Sequence, residues 1–148
     1  MARLGAVAIV AAAFAATLLQ PVHCGAGEGF VVIVNQANPL DHYGRSDLSK
    51  LFLKRTAPWP KGVPAAPCDL SGASPTRKAF SEGVHGKPVW VIVAFWQQEI
   101  ASGRSVPPAV CPSEQAALQA VRDNPGGVAY VSESLPLGPG VKALIIEP

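Results

Sequence analysis

Strand-type and helix-type segments alternate along most of this chain, and that alternation limits its fold more than any other feature. Phe30-Val31-Val32-Ile33-Val34 is apolar without a break, the mark of a strand buried on both faces. Val128-Ala129-Tyr130-Val131 and Val141-Lys142-Ala143-Leu144-Ile145-Ile146 read as the closing strands. Between them, Leu48, Leu51 and Phe52 have one-faced helical spacing, with Ser46 as the expected cap and Asp47 in the first turn. Ser74 followed by Pro75 opens a second helix, expected to end at Gly83 and Gly86. Ser113 caps a third, with Ala117, Leu118 and Val121 on one face, stopped before Asn124-Pro125-Gly126-Gly127. A short strand near Val63 to Cys68 is expected only at a sheet edge or between the prolines that interrupt it. Pro88 to Glu99 stays open: the run Val89 to Trp96 has strand propensity, while its length and the leading proline permit a buried helix. Strands alternating with helices predict an α/β domain with a largely parallel sheet.

Composition removes several classes of function. Charged residues make up 15% of the chain, against roughly 25% in an average soluble domain. The formal net charge is +2, so there is no basic arm and no nucleic-acid partner is expected. Hydrophobic residues make up 49%, ample for a core and far from a disordered composition.

Part of that apolar content belongs to a leader. Arg3 precedes the uncharged run Leu4 to Leu19, Pro21 interrupts it, and small residues follow at Cys24, Gly25, Ala26 and Gly27. That order predicts a cleaved signal peptide over 1–26 and a single α/β domain over 28–148, placed in the periplasm or secreted. Cys68 and Cys111 are the cysteines certain to remain after cleavage. In an oxidising compartment they are expected to form one bridge, with two buried free thiols as the alternative. His42 and His85 lack metal-ligand spacing, and no Walker loop is present, so neither a metal nor a cofactor is expected.

The most informative chemistry lies in Asp69-Leu70-Ser71-Gly72-Ala73-Ser74-Pro75-Thr76-Arg77, which joins an expected strand to an expected helix. A helix start exposes unpaired N–H groups and the positive end of the dipole. Hydroxyls at Ser71, Ser74 and Thr76 and the guanidinium of Arg77 add donors suited to an anion such as phosphate. The other reading is a plain capped helix start. Asp69 either orients Arg77, accepts a proton from hydrogen phosphate, or stabilises the turn. Trp59, Trp90 and Trp96 read as core or loop anchors, Arg104 as a solvated charge and His85 as a helix-end residue. No Gly-x-Ser-x-Gly elbow surrounds Ser74, so an enzyme is not expected.

Several motifs occur in one order. Val31 to Val34 leads to Asn35 and Asn38-Pro39, and Leu48-x-x-Leu51-Phe52 to Trp59-Pro60-x-Gly62. Ser74-Pro75-Thr76-Arg77-x-x-Phe80 comes next, then Trp96-x3-Ile100-x2-Gly103-Arg104-x2-Pro107-Pro108, then Asn124-Pro125-Gly126-Gly127-Val128-Ala129-Tyr130-Val131. Together, over about residues 30–146, they resemble the phosphate-binding, type II periplasmic solute-binding family, in particular its short single-lobe members. The resemblance implies a single periplasmic-binding-protein-like lobe with a mostly parallel sheet flanked by helices, and it makes Pro88 to Ala101 a helix. It implies anion binding outside the strand ends, with Ser74, Thr76 and Arg77 inheriting the phosphate contact beside Ser71. It also implies a membrane transporter or envelope protein as partner. Pro75 stands where the family carries Gly, which removes one N–H donor, and the second lobe is missing. A ligandless envelope accessory protein is therefore the alternative function.

Overall fold

In the computed structural model, which describes residues 29–55, 59 and 62–148, Phe30–Asn35 forms strand β1 at the middle of a six-stranded sheet. The leader assigned to 1–26 lies outside the described residues. The elements that follow are β2 (His42–Gly44), α1 (Arg45–Phe52), β3 (Ala66–Leu70) and α2 (Pro75–Phe80). A single π-helical turn over Ser81–His85 prolongs α2; α3 (Val89–Ala101), β4 (Ala109–Cys111), α4 (Glu114–Asp123), β5 (Gly127–Ser132) and β6 (Val141–Glu147) complete the chain. The sheet order is β2-β6-β1-β5-β3-β4. β1 is antiparallel to both its neighbours, and the other pairings are parallel, so β1 alone opposes the common direction.

Helices cover both faces of the sheet, and the parity of β5 shows it. Successive strand residues point to opposite faces. Tyr130 meets Phe52 of α1 and stacks on Phe80 of α2 at 3.8 Å. Gly127, of opposite parity, lies against α4, where a Cβ would come within 2.7 Å of Val121 Cα. Val32, Ile33 and Val34 are therefore sandwiched, as their uninterrupted apolar run requires. At the end of β1, the Asn35 side chain donates to the carbonyls of Val121 and Arg122, 2.9 and 3.0 Å away, and so closes the C-terminus of α4.

Four local expectations change. Gly44, not Ser46, caps α1, without a side-chain bond. Gly83 does not stop the second helix; the π-turn carries the chain past it to Gly86, whose φ of 62° suits glycine. Pro88 caps α3, and the β-branched run is helical, as the family resemblance implied. β3 is not a lone edge strand, since it lies between β5 and β4. Its Pro67 is tolerated because pairing with β4 begins one residue later, at Cys68 opposite Ala109, leaving that side of Pro67 open. Trp59 and Trp96 are buried anchors, but Trp90 is 71% exposed.

Cys68 and Cys111 are joined in a disulfide that ties β3 to β4, with Cα atoms 6.0 Å apart. Among the described residues no helix is long and apolar enough to cross a membrane.

His85, at the end of the π-turn, has its Nδ1 2.8 Å from the Ser49 hydroxyl. Burial, with the Arg77 charge second, pushes its imidazole down to about 4. The folded protein thus holds it neutral while the unfolded chain protonates near 6.5. Its contribution to stability is complete above that value and is lost as pH falls toward about 4, amounting to at most about 3 kcal/mol. Urea unfolding at pH 7.5 and pH 4.5 should show that loss, and His85→Asn should flatten it; an unchanged slope in the variant would assign the acid sensitivity elsewhere.

Candidate functional site

β3 ends at Leu70 with Asp69 turned inward, and α2 begins five residues later, so strand and helix bring Asp69 and Arg77 together. Both are buried, and an Arg77 Nη1 hydrogen bond joins them as an ion pair. Tyr130 of β5 completes the group. Its hydroxyl donates to Asp69 Oδ1 and accepts from Leu70 N at 3.1 Å and Arg77 Nη1 at 3.2 Å. Leu70 N also donates to Asp69 Oδ1, at 2.9 Å. Burial pushes the Asp69 carboxyl up, against the pull of Arg77 and these hydrogen bonds. Burial and the Asp69 charge likewise raise Tyr130, so the phenol stays protonated at neutral pH.

The bonds leave one edge of each charged group unused. All those reaching Asp69 end on Oδ1, and Arg77 uses only Nη1 of its side chain. Oδ2 of Asp69 and Nε and Nη2 of Arg77 take no partner among the described residues, and neither side chain is among the sealed, unsatisfied groups. Both residues line a cleft of about 270 Å³ between α3 and the β3–β4 edge, whose other walls include Val93, Trp96, Pro108 and Val110. A second hollow of about 580 Å³ adjoins it, sharing Gly72, Val89, Val93 and Gln97 and reaching Trp90 and Lys78.

The structure distributes the four anticipated contact residues unevenly. Ser71 is exposed, and its hydroxyl accepts from Ala73 N at 3.4 Å. Ser74 caps α2, its Oγ accepting from Arg77 N at 3.2 Å, and its own N–H donates to the Ser71 carbonyl. Thr76 is buried, and its hydroxyl donates to Glu114 of α4, whose other oxygen accepts from Ser132 N at 3.0 Å. Arg77 is the member of the four that lines the cleft. Sequence reasoning missed Tyr130 and Glu114. Tyr130 lay inside a recognised strand motif, but its hydroxyl acquires a role only when β5 is placed beside β3. Glu114, in the first turn after the Ser113 cap, carries no local signal that links it to Thr76, since the two meet only when α2 and α4 are placed together. Arg104, expected in solvent, is exposed and pairs with Glu99. Among the described residues no cluster of three or more His, Cys, Asp or Glu is placed to hold a metal ion.

The sheet order, the single reversed strand and the helices on both faces define one lobe of the periplasmic-binding-protein-like fold. Solved structures share it. An ABC-type phosphate transport receptor from Vibrio cholerae superposes with a TM-score of 0.61 at 22% identity, over 80% of this chain and 46% of that one. A phosphate ABC transporter substrate-binding protein from Clostridium perfringens, with bound phosphate, gives 0.63 at 19% identity, over 80% and 44%. The chain thus spans less than half the length of these neighbours. No protein-family model and no curated protein sequence matches it.

Proposed function

We propose that this chain is an exported single-lobe binding protein for phosphate or a similar small oxyanion, serving a membrane transporter. The observation that carries the reading is the half-used Asp69–Arg77 pair facing a cleft. Hydrogen phosphate fits both free edges: an anionic oxygen accepts from Nε or Nη2 of Arg77, and the P–OH group donates to Oδ2 of Asp69. Ser71 and Ser74 sit in the loop beside the lining residues Leu70, Gly72 and Arg77, where their hydroxyls add further donors. Sulfate carries no proton at neutral pH and leaves Asp69 facing a second anion. The fold shared with phosphate receptors supports the same ligand class, and the bridge fits an oxidising compartment.

Calorimetric titration with phosphate, with sulfate as competitor at fixed salt, tests this reading. Phosphate should bind and sulfate should compete poorly. Pro75→Gly restores an N–H donor and should tighten binding. The double variant Asp69→Leu/Arg77→Met, which removes both charges together, should weaken it about 10- to 100-fold, as expected from losing a charge-assisted hydrogen bond of about 1.5–3 kcal/mol. Absence of phosphate heat at millimolar concentration in both wild type and Pro75→Gly would refute it. A ligandless envelope interaction protein is then favoured by one observation: the Ser74 and Thr76 side chains are already used inside the fold.

A further inference from the structure

The first two turns of α3, Val89 to Trp96, are apolar without a break, yet the helix buries only Ile92 and Trp96. Trp90, Val93 and Ile100 stand 71%, 44% and 53% exposed. A helix apolar all round is ordinarily covered all round. The described structure leaves its outer side open, and the two adjoining hollows run along it. The inner one is lined by Asp69 and Arg77; Val89, Val93, Trp96, Ile100, Pro108 and Val110 form most of the remaining wall. Apolar walls with a few convergent polar groups characterise sites for organic ligands. Inorganic phosphate has no use for such walls.

We infer that the cleft binds an amphipathic organic acid, its head group at Asp69–Arg77 and a medium-length hydrocarbon body against α3. This rests on the Arg77 contact of the oxyanion reading and adds the body of the ligand. The ion pair carries no net charge, so it suits a head that both accepts and donates. One carboxyl oxygen accepts from the free edge of Arg77. A proton shared between the other and Asp69 Oδ2 relieves the repulsion of two neighbouring carboxylates. The hydrocarbon lies along Val93, Trp96 and Ile100, covering the side of α3 that the fold leaves bare.

The test titrates the purified protein with butanoate, hexanoate, octanoate and inorganic phosphate at one pH and salt, below micellar concentrations. Affinity should rise about tenfold for each two methylenes buried. Val93→Trp adds bulk at a partly exposed wall position that makes no ion pair, so the fold should tolerate it. It should weaken octanoate at least tenfold and weaken phosphate less. Octanoate binding without phosphate binding supports the amphipathic ligand and ends the phosphate reading. Phosphate binding with a flat chain-length series does the reverse, and no binding of either ends both. Sedimentation adds a further arm: a dimer that Val93→Trp dissociates, with no octanoate heat, would show that a second copy covers α3 and would overturn the inference.

Discussion

Asp69→Ala should lower the unfolding free energy by about 3–5 kcal/mol in urea titrations, because it strands the Arg77 guanidinium in a buried site. The loss extends beyond the ion pair, since the Tyr130 hydroxyl and Leu70 N–H also lose their Asp69 acceptor. Asp69→Leu/Arg77→Met should lie much closer to wild type, since replacing both partners by apolar groups of similar size removes the uncompensated charge. That contrast identifies the mechanism. Equal losses in the single and double variants would mean that packing around Tyr130, rather than charge, sets the stability here. A loss below about 1 kcal/mol in Asp69→Ala would mean that cleft water solvates Arg77 as well as Asp69 does.

The second large effect belongs to the disulfide. Replacing Cys68 and Cys111 together by Ser should destabilise the protein by about 4 kcal/mol, the loop-closure entropy of a bridge spanning 43 residues. The bridged segment contains α2, α3 and the whole wall of the cleft. The cost should therefore appear with any ligand that reports on the cleft as well as in urea midpoints. Thiol labelling of protein taken from its native compartment should find neither cysteine reactive. A reduced protein with an unchanged midpoint would show that pairing of β3 with β4 holds this edge without the bridge.

Much of this architecture was legible because it rests on apolar pattern and capping. β1, β5, β6 and α4 fall where their runs and the Ser113 cap put them, with Ser113 accepting from Ala116 N at 3.1 Å. Elsewhere local signals misled. The β-branched stretch Val89 to Val93 is helical because Pro88 starts a helix there, and the motif order, not propensity, indicated it. β4 has three residues, too few for any pattern, and the prolines around β3 pointed to an edge. At the site, Arg77 was visible as a cation beside hydroxyls. Its partner Asp69 is eight residues away and Tyr130 fifty-three, and only folding brings those three polar groups to one point. Thr76 faces α4 for the same reason: Glu114 is remote in sequence and adjacent in space.

The position of β1 between β5 and β6 has a consequence for how the chain is made. Among the described strands β1 is the first to leave the ribosome, and both its sheet neighbours, Gly127–Ser132 and Val141–Glu147, are among the last. Val32, Ile33 and Val34 must therefore wait, unpaired and apolar, while nearly the whole chain passes. Contacts between such distant segments form slowly, because the loop they close is long. Under the proposed export that delay is an advantage, since a chain whose sheet has not yet closed is thin enough to be threaded through a membrane.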